Sequence, residues 1–234
     1  MKVLGILGGM SWESTALYYR LVNQGVAQRL GGLHSAEMRL HSLDFAAMAA
    51  LQAAGDWDAA GRLLARAALG LKAAGAEGLV LATNTMHKVA GAIEAESSLP
   101  LLHIADATAE LVKASGIRRI GLLGTRFTME DPAIVRQRLE QRHGLRITVP
   151  GDDDRALLHR VIYDELCRGV VSDSSRAAVI ALIERQRAAG AEAVILGCTE
   201  IALLIDAACS PLPVLDTTAL HAAAAVAWML GDAA

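Results

Sequence analysis

Short apolar runs rich in branched residues recur along the chain, each bounded by glycine or small polar residues and followed by a longer helix-like segment. The runs at 3–7, 78–82, 101–103, 119–123, 145–149 and 193–196, with a short one at Pro213, read as buried strands, and 37–43 alternates like another strand. Between them, 13–30 predicts a helix stopped by Gly31-Gly32, and 56–74 a long Ala/Leu/Arg helix closed by Gly75. Further helices are predicted from near Thr85, over 105–114, 132–142, 153–167 and 174–189, from Cys198 through Ile205, and along the Ala-rich stretch to Leu230. Strand then helix, repeated, means parallel sheets covered by helices, because a parallel crossover needs such a connection. In open sheets of this kind ligands collect at the carboxyl ends of the strands, so the residues just after each strand carry the candidate chemistry.

The pattern is also written twice. Gly75-Ala76-Glu77-Gly78-Leu79-Val80-Leu81-Ala82-Thr83-Asn84-Thr85 aligns with Gly190-Ala191-Glu192-Ala193-Val194-Ile195-Leu196-Gly197-Cys198-Thr199-Glu200, which sets Thr83 opposite Cys198. Val3-Leu4-Gly5-Ile6-Leu7-Gly8-Gly9 is echoed by Arg119-Ile120-Gly121-Leu122-Leu123-Gly124-Thr125, and Pro100-Leu101-Leu102-His103 by Pro213-Val214-Leu215-Asp216. Collinear echoes at nearly constant offset argue for a duplicated α/β half of roughly a hundred residues, a period too long for a solenoid or propeller.

Composition narrows the classes. Hydrophobic residues are 53% of the chain and aromatics 3%, so the interior is built from aliphatic side chains and closely packed Ala-rich helices. No run of about eighteen uncharged apolar residues offers a membrane span, and the apolar start breaks at Gly8-Gly9, which reads as a first strand rather than a signal peptide. A net charge of -3 with both signs interspersed argues against nucleic acid or an anionic membrane as partner. Cys167, Cys198 and Cys209 are odd in number and lack paired spacing, as expected of free thiols in a reducing cytoplasm rather than a disulfide or zinc site.

The first strand-end loop is Gly8-Gly9-Met10-Ser11-Trp12. Paired glycines let a backbone approach a ligand closely, and amides opening the next helix favour a carboxylate or phosphate; a tight turn needing glycine for packing is the other reading. The spacing is neither the dinucleotide fingerprint nor a Walker motif, and a small carboxylate fits better than a nucleotide. The other two loops are the mirrored pair. Cys198 stands where a strand ends and a predicted helix begins, so the helix N-terminus is expected to lower its pKa from about 8.5 and favour thiolate. Thr199 and the amides behind it are placed to hold a carboxylate, and Glu200 either assists proton traffic or, as a like charge, pushes the thiol back toward its neutral form. A lone cysteine after a strand is commonly a small buried hydrophobe; the position of Cys198 in the repeat singles it out, whereas Cys167 and Cys209 read as structural. His34, His41 and His103 lack metal-ligand spacing, and Lys88, following His87, reads as part of a charged helix face.

The segments Gly5-Ile6-Leu7-Gly8-Gly9-Met10, Thr83-Asn84-Thr85-Met86-His87 and Gly197-Cys198-Thr199-Glu200 resemble the signatures of the aspartate/glutamate racemase family, cofactor-independent enzymes that invert an amino acid at Cα, and the likeness covers essentially the whole chain. The resemblance implies two similar α/β domains with the site in the cleft between them, a small amino-acid substrate (aspartate, glutamate or a broader set) and a homodimer. It further implies that the C-terminal helix returns to the first domain, so that 1–100 with 213–234 form a discontinuous N-terminal domain and 101–212 the C-terminal one. Typical members use two cysteines, one per domain. By resemblance Cys198 matches the second, while Thr83 stands in the place of the first. Met10, Ser11, Gln52, Thr125 and Thr199 match positions lining the substrate pocket, Asn84 and Thr85 belong to an intact motif, and Glu200 joins the substrate-binding set. Gln52 replaces a cationic side chain expected in some members.

Inversion requires a base on one face of Cα and an acid on the other, and a pair of equivalent strand ends supplies two faces. A threonine hydroxyl is a far weaker acid than a thiol, so Thr83 is expected to donate, directly or through a water, rather than rest as an alkoxide. In this reading Cys198 abstracts the proton of the L-enantiomer, Thr83 serves the reprotonation face, and Asn84 and Thr85 orient the substrate carboxylate. Two other classes suit a chain with one such cysteine: a decarboxylase of substituted malonates, in which a single thiol protonates a carbanion, and a catalytically inactive amino-acid binder.

Overall fold

The computed structural model describes residues 1–231 and divides into two compact units, Met1–Ile104 with the chain from Thr218 onward, and Ala105–Thr217. In the first, β1 (Leu4–Gly8), β2 (Met38–Ser42), β3 (Gly78–Leu81) and β4 (Leu101–Leu102) form a parallel sheet in the order β2-β1-β3-β4. Its helices are α1 (Trp12–Leu30), α2 (Phe45–Ala54), α3 (Trp57–Ala73) and α4 (Ala90–Ser97). In the second unit, α5 (Ile104–Ser115) leads into β5 (Arg119–Gly124), β6 (Arg146–Thr148), β7 (Ala193–Gly197) and β8 (Val214–Asp216), again all parallel, in the order β6-β5-β7-β8. The intervening helices are α6 (Arg126–Glu130), α7 (Arg136–His143), α8 (Asp152–Arg160) and α9 (Asp173–Ala188), and α10 (Thr217–Leu230) closes the described chain. The duplication shows in the register: Leu7 lies opposite Leu81 in one sheet, and Leu123 opposite Leu196 in the other.

The central strands β1, β3, β5 and β7 are buried nearly throughout, as strands covered by helices on two sides must be. In the first unit the two-residue period sorts the strands cleanly. Leu7, Leu79 and Leu81 pack with Met48 of α2, Leu64, Ala68 and Leu71 of α3 and Ile93 of α4. Leu4, Ile6, Val80 and Ala82 pack with Tyr18, Val22 and Val26 of α1 and with Ala222, Val226 and Met229 of α10. Each fully buried leucine or isoleucine contributes about 1.5–3 kcal/mol. In the second unit Leu123, Val194 and Leu196 pack with Leu158 of α8 and Val179, Leu182 and Ile183 of α9.

Several elements differ from the sequence reading. The unit boundaries fall at 104 and 217 rather than 100 and 212, because β4 pairs with β3 and β8 with β7; residues 232–234 of the expected N-terminal domain lie outside the described residues. Helix α2 was not anticipated, although Asp44 caps its start and Gly55, in the left-handed region, caps its end. The expected helix over 132–142 is replaced by α6 and α7, and that over 153–167 is α8 followed by a single π-helical turn, Val161–Glu165, and a 3₁₀ turn, Leu166–Arg168. Behind Thr83 a 3₁₀ segment, Thr85–Val89, precedes α4, and behind Cys198 there is only a 3₁₀ segment, Thr199–Leu203.

Candidate active site

In the first unit the carboxyl ends of β1 and β3 carry Met10, Ser11, Thr83, Asn84 and Thr85. Met10, Asn84 and Thr85 are buried, and Thr83 and Ser11 are partly exposed. Ser11 caps α1, its side-chain oxygen accepting from the Ser14 amide at 3.3 Å. Of the two readings of Gly8-Gly9, packing is the one the geometry bears out. Gly9 has φ +84°, and a Cβ there would lie 2.2 Å from the Leu43 carbonyl oxygen; its amide donates to Thr15 Oγ1 at 2.8 Å. Gln52, buried on α2, donates from Nε2 to Met86 Sδ at 3.0 Å, so it shares a core with the Thr83 loop. Lys88 is not simply part of a solvated face: its Nζ sits 4.2 Å over the Trp57 ring.

His87 anchors this loop. Its Nδ1 faces the Thr83 carbonyl oxygen at 2.8 Å, and its Nε2 faces the Ile104 amide at 3.2 Å. A carbonyl only accepts and an amide only donates, so Nδ1 carries the proton and Nε2 is bare. Burial above all, then the neighbouring His103 and His221, holds the His87 imidazolium pKa well below its ordinary value. His221, on α10, donates from Nε2 to the Leu102 carbonyl oxygen and accepts on Nδ1 from the Tyr18 hydroxyl, both at 2.8 Å, and burial lowers it to about 4. His103 is buried with its ring 4.5 Å from that of His87, whereas His34 and His41 are exposed. Among the described residues, no three or more His, Cys, Asp or Glu side chains are grouped so as to hold a metal ion.

In the second unit the carboxyl end of β7 presents Cys198, Thr199 and Glu200. Cys198 Sγ donates to Glu200 Oε2 at 2.9 Å, and Thr199 Oγ1 donates to the same oxygen at 2.7 Å. The expected lowering of the Cys198 pKa is reversed. Desolvation first, then the Glu200 charge and its hydrogen bond to the thiol, raise the pKa well above the ordinary thiol value, so the resting group is a thiol and not a thiolate. The physical reason is burial of the sulfur together with the carboxylate two residues on, and the five-residue 3₁₀ segment behind Cys198 offers no long α-helix dipole to offset them. Thr125 caps α6, its Oγ1 accepting from the Thr128 amide at 3.3 Å.

Two aromatic residues join this end of the second unit without having been anticipated. Tyr163, on the π-helical turn, packs on the same core as Cys198 and Cys167. Its hydroxyl is raised to about 12, by burial first and then by Cys198, Cys167 and Glu200. His159 stacks on Tyr163 with ring centroids 4.6 Å apart, and accepts the Arg126 amide on Nδ1 at 3.3 Å. Single π turns recur at functional sites, yet a lone tyrosine in a helical stretch gave no signal along the chain. Cys209, in the turn after Leu203, packs on that core too, its Sγ 3.7 Å from the Asp206 carbonyl oxygen.

The chain matches a family model described as Asp/Glu/Hydantoin racemase over residues 7–225. Among solved structures it is similar to a candidate Asp/Glu racemase from Yersinia pestis, with 54% identity over 98% of this chain and 100% of that one and a TM-score of 0.93. An aspartate racemase homologue from Pyrococcus horikoshii OT3 is 31% identical over 98% of this chain and 100% of its own, with a TM-score of 0.84. An aspartate racemase from Picrophilus torridus, 20% identical over 99% of this chain and 95% of its own, shares the fold with a TM-score of 0.75.

Proposed function

Because the chain belongs to the Asp/Glu/Hydantoin racemase family, we propose that it inverts Cα of aspartate or glutamate without a cofactor, acting as a homodimer in the cytoplasm. The observation that carries this reading is the thiol–carboxylate contact at the end of β7, Cys198 Sγ to Glu200 Oε2 at 2.9 Å. It couples a carbon-acid base to a store for its proton.

Cys198 starts protonated, so it must lose a proton before it can take one. In the proposed sequence the thiol proton passes to Glu200 Oε2, and the sulfur then takes the Cα proton of the L-enantiomer. Thr83 delivers a proton to the opposite face, directly or through a water, and recovers one from solvent. The Cα proton ends on sulfur, and the proton held by Glu200 returns to solvent in exchange for the one Thr83 takes up, so the cycle balances. Asn84 and Thr85 orient the substrate carboxylate, and Met10, Gln52 and Thr199 shape the pocket. Ser11 and Thr125 already accept helix-cap bonds on their hydroxyl oxygens, and Thr125 Oγ1 also lies 3.2 Å from Thr128 Oγ1. Enantiomers are equal in free energy in water, so any preference for one direction is kinetic and the final ratio remains one.

The protonated thiol also favours a second reading, a decarboxylase of substituted malonates, in which Cys198 only donates. One experiment separates them. In heavy water, a racemase replaces the Cα proton of L-aspartate or L-glutamate with deuterium and accumulates the D-enantiomer, as followed by proton NMR and chiral chromatography. A decarboxylase instead releases carbon dioxide from a substituted malonate, and an inactive binder does neither. Absence of Cα exchange with every amino acid tried overturns the racemase reading.

A further inference from the structure

The opposite, amino-terminal ends of the strands in the second unit hold an unassigned concavity. Arg118, Arg119 and Arg146 line a cavity of about 520 Å³ together with Gly144, Gly190 and Glu192. Glu192 Oε2 accepts the Arg118 and Arg119 amides at 2.9 and 2.8 Å, and these bonds hold its carboxyl below the usual carboxylate range. Glu192 is therefore ionised and fixed to the backbone. Among the described residues, none of the three guanidinium groups makes a hydrogen bond or a close ion pair. Three cations thus share one concavity with a single anion.

The duplicated fold supplies an internal control. Glu77 bonds the Val3 amide at 2.7 Å as Glu192 bonds that of Arg119, and the Glu77 and Glu192 amides donate to the Val3 and Arg119 carbonyl oxygens. Strand register carries the match further: Leu4 opposite Met38 corresponds to Ile120 opposite Ile147, so Lys2, Val3 and Glu37 stand where Arg118, Arg119 and Arg146 stand. In the first unit this end is neutralised. Glu37 pairs with Arg39 at 3.0 Å, and Lys2 Nζ lies 4.9 Å over the Trp228 ring. The fold does not require three arginines here. Gly190 adds a packing detail: it has φ +92°, and a Cβ there would lie 3.1 Å from Arg119 Nη1, so the bare glycine lets the guanidinium lie against the backbone at the cavity rim.

We propose that this cavity binds a small polyanion carrying at least two phosphate or carboxylate groups. Guanidinium forks match such groups bidentately, and mutual repulsion among three of them falls when a multivalent anion enters. The ligand is small because the cavity has the volume of a small-molecule site, and the interspersed surface charge offers no track for a polymer. This inference stands apart from the racemase reading.

Isothermal titration at low ionic strength with pyrophosphate and, separately, with citrate tests it. The expected result is one saturable site per chain for at least one probe, weakened by added salt. Arg119→Ala or Arg146→Ala weakens it roughly tenfold. The double variant R119A/R146A, or R119Q/R146Q should the first be poorly folded, abolishes it. Lys2→Ala and Cys198→Ser leave it intact, which excludes the mirrored end and the Cys198 site as the place of binding. Binding of pyrophosphate alone assigns the site to phosphates, and of citrate alone to polycarboxylates; both support the proposal. No saturable binding of either probe, or undiminished binding in a folded double variant, overturns it.

Discussion

The strand end at Thr83 and the strand end at Cys198 share a backbone frame, down to the register of Leu7 with Leu81 and Leu123 with Leu196, yet they treat protons differently. Behind Thr83 lies a buried aromatic network in which His87 and His221 are held neutral, and His87 spends its one N–H on the Thr83 carbonyl oxygen. Beside Cys198 stands a carboxylate that draws two donors onto one oxygen and keeps the thiol protonated. The first end fixes a backbone carbonyl, and the second gathers a thiol and a hydroxyl on one carboxylate oxygen. A duplicated fold thus conserves where a group sits while the packing around each copy sets its acidity.

Unequal strand ends should respond unequally. The largest expected effect is on chemistry at the thiol: Cys198→Ser lowers Cα deuterium exchange of the L-substrate by about 10³-fold, while Thr83→Ser keeps it within about tenfold of the parent. Equal losses in the two variants would break the comparison. Next comes acid stability, to which the buried His87 and His221 of the first unit contribute alongside the lowered His159 of the second. The folded-state pKa values of His87 and His221 lie below the unfolded value, so the unfolded chain binds more protons as pH falls through about 6.5 and stability drops. For His221, with a folded value of about 4, the full loss is roughly 3 kcal/mol. Urea unfolding at pH 7 and pH 4.5 measures it, and His221→Gln flattens the slope.

A smaller effect is expected at the carboxylate. Glu200→Gln lowers the exchange rate about 10²-fold by removing the proton acceptor, and at the same time moves the Cys198 pKa down, because a like charge is gone while burial remains. The pH profile of thiol alkylation therefore shifts to lower pH as turnover falls; an unmoved profile would count against the contact. Smallest is the gain from making the ends alike. Thr83→Cys raises kcat/KM about tenfold for both enantiomers alike, as a final ratio of one requires, and chiral chromatography of time courses from both enantiomers measures it.

Much of this frame is legible along the chain. The central strands stand out because each is a branched-aliphatic run bounded by glycine or small residues, and the repeat aligns Thr83 with Cys198 along the sequence itself. Helix α2 escaped because an Ala-rich segment buries few side chains, Met48 and Gln52 among ten residues, and writes no polar stripe. The thiol acidity differs from the helix-dipole expectation because it hangs first on burial of the sulfur and then on its contact with Glu200, and burial is set by tertiary packing that no local pattern writes. The bond from Tyr18 to His221 spans 203 positions, a contact no local pattern encodes.

The chain leaves the first unit at Ile104 and returns to it only with α10, whose Ala222, Val226 and Met229 fill one face of the β1–β3 core. During synthesis the second unit, contiguous from Ala105 to Thr217, has all of its residues before the first has its last helix. The half made earliest is thus completed latest, and until then the apolar side chains of Leu4, Ile6 and Val80 have only the α1 part of their cover.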